Sequence, residues 1–263
     1  MDLILADPPP DTLQDCLLAS LCTHENSINV VRWDHSGALL ASAGADNYIL
    51  VHKLSSYQVQ GNLAGDPSQH KEHWVRCHML QGHRMDVLDI AWGLHQTLAS
   101  CSADTQVLVW DLAQDNNNVS AHGNHSIIQS PLYILKGHKS HVKGVSYDPL
   151  HKYLASYSAD HMLCVWDVDS QYTLIHTVNV LSLANGTLPS SLSPSTHTPN
   201  TPSSLLFMRL AWSPDGLFLC IPAVTKQTRE VCVLVRREAW EVNAADLVGH
   251  MYATCAARFS RSS

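Results

Sequence analysis

Residues Gly82 to Asp111, GHRMDVLDIAWGLHQTLASCSADTQVLVWD, recur as Gly137 to Asp167, GHKSHVKGVSYDPLHKYLASYSADHMLCVWD. His138, Val142, Val145 and Tyr147 take the places of His83, Val87, Ile90 and Trp92. Leu154-Ala155-Ser156 matches Leu98-Ala99-Ser100, Ser158-Ala159-Asp160 matches Ser102-Ala103-Asp104, and Val165-Trp166-Asp167 matches Val109-Trp110-Asp111. A weaker copy runs from His24 to Leu54, with Ile28, Val31, Trp33, Ser42 and Asp46 in register but His52 where the others have tryptophan. A repeat constrains a chain more than its composition does. One unit cannot bury its own apolar face and must stack on its neighbours.

Within each copy, short β-rich runs alternate with small polar turns, the pattern of an antiparallel meander. Opening on Gly-His and closing on Trp-Asp over roughly 40–45 residues is the mark of the WD-repeat β-propeller. The expected fold is therefore all-β: an incomplete propeller of about four blades with partial blades at both ends. Met1 to Gln14 reads as an irregular lead, and Cys16 to Leu21 as a stray outer strand, together residues 1–21. Residues 22–180 make three blades, with outer strands expected at Trp74 to Leu80, Tyr133 to Lys136 and Tyr172 to Val178. Polar connections at Ser55 to His73 and Gln114 to Ser130 read as surface loops. Residues 181–204 form a Ser/Thr/Pro-rich loop too poor in aromatics to hold a core, with Ser193-Pro194, Thr198-Pro199 and Thr201-Pro202 open to proline-directed phosphorylation. A divergent fourth blade covers 205–248: Phe207, Leu210 and Trp212 keep the register, but Ser203 replaces the histidine. Gly249-His250 starts a fifth blade over 249–263, its inner strand expected at Tyr252 to Phe259.

Net charge is −7 and pI about 6.1, which argues against duplex DNA binding through a basic face. The eight cysteines are scattered without a C-x-x-C pair, which points to a reducing compartment and no disulfide framework. No secretory leader and no apolar run of about 18 residues is visible, so neither export nor a membrane span is expected. The sequons at Asn118, Asn124 and Asn185 then have no glycosylation role.

His83, Ser100 and Asp104, like His138, Ser156 and Asp160, are the residue types of a nucleophilic triad. A nucleophilic serine needs a base within about 3 Å and usually a strained elbow. Ser100 and Ser156 lie inside expected strands and have no such elbow. Three parallel copies fit a building block instead, a tetrad in which His, Ser and Asp link loops and strands to an indole. The complete tetrads are His83, Ser100, Asp104, Trp110 and His138, Ser156, Asp160, Trp166; the first blade keeps His24, Ser42 and Asp46. The His122/His125 and His138/His141 pairs suggest metal spacing, but no four-ligand set accompanies either. No Walker loop, dinucleotide fingerprint or H-E-x-x-H appears, so no cofactor is expected. What remains is a binding surface. Asn26, Arg84, Asp86, Lys139, His141 and Lys143 should edge the face shared by the histidine loops and the aspartate turns.

Several runs resemble the HIRA histone-chaperone family: Asn29-Val-Val-Arg-Trp33, Leu40-Ala-Ser-Ala-Gly-Ala-Asp46, His73-Trp-Val-Arg-Cys77, Asp86-Val-Leu-Asp-Ile-Ala-Trp92 and Arg209-Leu-Ala-Trp-Ser-Pro-Asp-Gly216. Arg236-Arg-Glu-Ala-Trp240 leading into Leu247-Val-Gly-His250 discriminates most, since the propeller subunit of chromatin assembly factor one is similar elsewhere but fits less well there. The resemblance implies a nuclear, non-enzymatic scaffold for replication-independent nucleosome assembly and transcription regulation. Its implied partners are a ubinuclein-type subunit, histone chaperones, and core histones directly or indirectly, with no sequence-specific nucleic acid contact. A generic WD adaptor, such as a ubiquitin-ligase substrate receptor, and a replication-coupled assembly-factor subunit are the alternatives. Seven blades commonly close a WD ring. An outermost strand at one end and an innermost strand at the other cannot pair, so an open arc, part of a longer protein, is the expectation.

Overall fold

The computed structural model describes residues 18–55, 72–113, 126–180, 205–226, 229–242, 247 and 254–260. Among them every regular element is a strand, and no helix is long and apolar enough to cross a membrane. The lead at 1–14, the 181–204 loop, the His122/His125 pair, the three sequons and Gly249-His250 lie outside the described residues.

Four sheets follow one another along the chain. The first contains β1 (Ile28–Trp33), β2 (Leu39–Gly44), β3 (Tyr48–Leu54) and β4 (Trp74–Gln81), with β8 (Ser126–Ile128) added at its outer edge. The second is β5 (Val87–Trp92), β6 (Thr97–Ser102), β7 (Val107–Asp111) and β9 (Tyr133–Leu135). The third is β10 (Val142–Tyr147), β11 (Tyr153–Ser158), β12 (Met162–Asp167) and β13 (Thr173–Asn179). The fourth is β14 (Ala211–Trp212), β15 (Phe218–Lys226), β16 (Arg229–Arg236) and β17 (Glu241–Val242).

The ladders share one register: Arg32, Ala91 and Ser146 of the inner strands face Ala41, Ala99 and Ala155 of the next. These alanines are buried where one blade meets the next, and a small side chain there lets the sheets close together. Against them pack Val87, Ile90 and Trp92 of the second blade, and Val142, Val145 and Tyr147 of the third. Trp92 donates its indole N–H to Arg32 O at 3.1 Å, and Trp212 donates to Ser146 O at 3.4 Å. Each aromatic residue therefore ties its blade to the one before. The first blade has the same residues with nothing described in front of them: Ile28, Val31 and Trp33 are 47%, 46% and 52% exposed.

Three expectations need correction. Cys16 to Leu21 is no strand over its described part; Leu18 makes one hydrogen bond, from Glu72 N–H at 2.9 Å, and a strand needs a ladder to belong to. The connection from Gln114 to Ser130 is not all loop, since Ser126–Ile128 runs parallel to β4, pairing Ser126 with His78 and Ile128 with Leu80. Paired backbone covers an edge that β4 would otherwise leave open. The inner strand expected over Tyr252 to Phe259 is replaced, in its described part, by one parallel bridge between Arg209 and Ala256. Cys255 and Ala256 thus lie beside the segment that enters the fourth blade.

Candidate functional site

Each tetrad is assembled by one hairpin and the loop that precedes it. The serine lies on the second strand, the aspartate in the next turn and the tryptophan on the third strand. In the second blade His83 Nδ1 is 2.9 Å from Asp104 Oδ2 and His83 Nε2 is 2.8 Å from Ser100 Oγ, which accepts the Trp110 indole N–H at 2.9 Å. In the third, His138 Nε2 stands 2.8 Å from Ser156 Oγ, Trp166 donates to the same oxygen at 2.9 Å, and His138 Nδ1 is 3.5 Å from Asp160. In the first, His24 contacts Asp46 at 2.7 Å and Ser42 at 2.8 Å.

The aspartates also hold backbone. The amides of Glu25, Arg84 and Lys139 donate to Asp46, Asp104 and Asp160 at 3.2, 2.9 and 2.7 Å. Burial alone would push the Asp160 carboxyl up, but bonds with His138 and from the Lys139 and Met162 amides outweigh it and hold the group at about 2. Asp104 is lowered by the same contest, its bonds coming from His83, Arg84 and Gln106.

An Asp–His–Ser order with both imidazole nitrogens engaged is the order of a hydrolytic triad. Here it has no access. Ser100 and Ser156 are fully buried and an indole occupies each hydroxyl, so no acyl group can approach. The chemistry available to the tetrad is cohesion: its polar groups partner one another inside the blade.

Glycine and tryptophan form a matched pair at each tetrad. A Cβ on Gly82 would lie 2.7 Å from Trp110 Cη2, and one on Gly137 would lie 2.9 Å from Trp166 Cη2. In the first blade both partners change together. Thr23 stands in the glycine position, His52 in the tryptophan position, and Thr23 Oγ1 bonds His52 Nε2 at 3.2 Å. His52 is buried with its Nδ1 unpartnered among the described residues, and burial first, then His24 and Arg76, lowers its proton affinity to about 4.

Of the residues expected to edge the binding face, Asn26, Arg84, Lys139 and His141 are exposed and Asp86 is half-buried. Their loops are tied to the aspartate turns by repeated backbone bonds: Ala45 N–H to Ser27 O, Ala103 N–H to Asp86 O and Ala159 N–H to His141 O, all 2.9–3.0 Å. Lys143 departs from the set. It is buried, because the fourth blade enters against it, Met208 N–H donating to Lys143 O at 3.1 Å.

Sequence reasoning missed the polar centre of the molecule. Asp89 of β5 is almost fully buried and takes Arg209 at 2.5 Å and Arg32 at 3.2 Å. Its other oxygen accepts the Val145 amide of β10 at 3.4 Å. Arg209 also donates to Leu88 O and Asn29 O, both at 2.7 Å. One carboxylate is thus joined to all four blades. Charged letters inside otherwise apolar inner strands are the signal that marks such residues. Beside this hub the inner strands of the blades line an open cavity of about 590 Å³, whose wall includes Arg32, Trp33, Asp89, Arg258 and Phe259. Among the described residues no three His, Cys, Asp or Glu side chains gather as metal ligands.

The chain matches the family model described as the CAF1B/HIR1 beta-propeller domain over residues 10–261. It is 34% identical over 246 residues to Protein HIR1 of Mycosarcoma maydis, covering 93% of this chain and 21% of that protein. One chromatin assembly factor 1 subunit, from Mus musculus, is 30% identical over 219 residues, 81% of this chain and 35% of the relative. Its counterpart from Gallus gallus is 32% identical over 211 residues, 78% of this chain and 34% of the relative. The chain therefore spans between a fifth and about a third of the length of these relatives. Repeated blades, their register and a match across nearly the whole length agree: the chain belongs to the CAF1B/HIR1 β-propeller family.

Proposed function

We propose that this chain is a non-enzymatic interaction scaffold of a HIRA-type histone-chaperone complex, acting in the nucleus in replication-independent nucleosome assembly and transcription regulation. The observation that carries the reading is how the polar groups are used. The tetrads keep His, Ser and Asp inside the blades, while Asn26, Arg84, Lys139 and His141 stay exposed on loops held by those tetrads. Rigidly held loops on one face of adjacent blades suit protein recognition. The partners proposed are a ubinuclein-type subunit, other histone chaperones, and core histones directly or through them.

A second reading, a subunit of the replication-coupled assembly factor, is favoured by the identity to the mouse and chicken proteins of that name. Affinity capture of the tagged chain from nuclear extract, read by mass spectrometry, separates the two. A ubinuclein-like protein supports the first; other subunits of chromatin assembly factor 1 support the second. Ubiquitin-ligase subunits in place of both would make the chain a generic WD adaptor. Substituting Arg84 and Lys139 by Glu together should reduce capture without lowering the melting temperature.

A further inference from the structure

A propeller blade is a four-stranded sheet, and among the described residues the second, third and fourth sheets have four strands. The first has five, and the surplus is β8. It does not come from its own blade. The chain leaves β7 in the second blade and lies along β4 as Ser126–Ile128. It then returns through Gln129 to Leu132 to β9, and Leu132 N–H reaches Val109 O at 2.7 Å. The other blades do without such an addition. What places β8 there is the affinity of the β4 edge for a strand.

The edge selects what it takes. Ser126 is buried, with its Oγ 2.6 Å from His78 Nδ1 and donating to Cys77 O at 3.5 Å. Two residues on, Ile128 lies opposite Leu80 and packs against the core that Leu80 and Leu108 share. Ile127 between them alternates to the other face and is 52% exposed. Gln129 closes the run, its amide donating to Gln81 Oε1 at 3.2 Å. Between Asp115 and Lys136 the sequence has no Asp, Glu, Lys or Arg, so the selection is for hydroxyl and aliphatic groups and not for charge.

The cis fit is partial. β4 has eight residues, and β8 pairs with His78, Met79 and Leu80 alone, in a parallel ladder, the slightly weaker kind. A longer strand laid in the same direction would add main-chain bonds along Trp74 to Cys77, beyond the reach of the β8 ladder. We propose that the outer edge of β4 is a strand-addition site for an extended, uncharged segment of a protein partner, with Ser or Thr opposite His78 and an aliphatic residue opposite Leu80. Until that segment arrives, β8 holds the edge closed. Main-chain bonds supply affinity in such docking, and alternating side chains supply selectivity. The tethered β8 competes at high effective concentration, so a segment displaces it only by pairing with Trp74 to Cys77 as well. A second copy offering its own Ser126–Ile128 would bring nothing that the tethered strand lacks. The proposal rests on the scaffold reading and names the kind of segment by which one partner is held.

Hydrogen exchange read by mass spectrometry on the full chain tests it, with the peptide Thr-Val-Thr-Val-Ser-Ile-Ile-Gln as probe. In the parent chain, millimolar peptide should slow exchange over residues 74–80 and speed it over 126–128. Ser126→Pro removes a hydroxyl and an amide from the tethered strand, and should bind the labelled peptide at least about tenfold more tightly by fluorescence anisotropy. Replacing the peptide's serine by alanine should weaken binding several-fold to the parent but not to His78→Ala. The exchange measurement needs no variant, so it stands even if Ser126→Pro fails to fold. Unchanged exchange over 74–80, equal affinity of parent and Ser126→Pro, or a stable dimer formed by swapping 126–128 overturns the site. Any of those results leaves the capture experiment above to decide the scaffold reading separately.

Discussion

Gly82 shows how little freedom a tetrad leaves. Its missing Cβ is the space in which the Trp110 ring lies, and the ring's position sets whether its N–H reaches Ser100. Gly82→Ala should therefore cost about 1–3 kcal/mol, as overpacking does. Trp110→Ala should cost about 3–5 kcal/mol by leaving a cavity. Both are read from chemical denaturation midpoints, and a near-parental midpoint for Trp110→Ala would remove the tetrad as the source of cohesion. Thr105 is the opposite case. It follows the tetrad aspartate in the turn with φ of 74°, as Asn47 and His161 do at 67° and 62°, although a β-branched residue resists that region. Thr105→Asn should raise stability by roughly 1 kcal/mol, the usual cost of a left-handed conformation. Gly-His and Ser-Ala-Asp were legible at this scale because each bond they make lies within one blade. The strain at Thr105 was not, since letters carry no φ.

At the scale of the blade, the first repeat tests whether its exchanged pair is a unit. Putting tryptophan at His52 alone should destabilise the chain, because Thr23 fills the place of the glycine. Thr23→Gly together with His52→Trp should recover stability beyond the sum of the single changes, with a coupling of about 0.5–3 kcal/mol. His52 also gives the blade a pH response of known sign. Folded, it titrates at about 4, whereas an unfolded histidine titrates near 6.5. As pH falls through that window the unfolded chain takes up a proton that the folded chain refuses, so stability falls. His52→Gln should flatten the melting temperature between about pH 6.5 and 4. Asp160 acts in a lower window: its contribution is present above about pH 4 and disappears toward about 2. Strands of five or six residues with the tetrad in step were readable from the repeat. The tripeptide β8 was not, because three residues have no periodicity and the strand exists only where β4 offers an edge.

The whole molecule is joined at Asp89. Removing one partner of a buried ion pair strands the other, so Arg209→Ala should cost about 3–5 kcal/mol. Because Arg209 reaches the first and second blades from the segment entering the fourth, the same change should raise the radius of gyration in small-angle scattering. Unchanged stability and dimensions would show that the hub holds nothing together. Arg209→Lys should recover little, since a single ammonium cannot replace a guanidinium that bonds Leu88 O, Asn29 O and Asp89 at once.

The amino-acid sequence by itself determined the blades, their order and the tetrads, because those rest on contacts between residues some thirty positions apart or fewer, inside a unit repeated in step. Only the tertiary structure decided the hub, the strand added to β4 and the open cavity beside Asp89. Arg209 bonds carbonyls 121 and 180 residues before it, and such pairs meet only when blades curve around a common centre. No local pattern encodes that curvature. It follows from how twisted sheets with alanines on one face and aromatic rings on the other stack together.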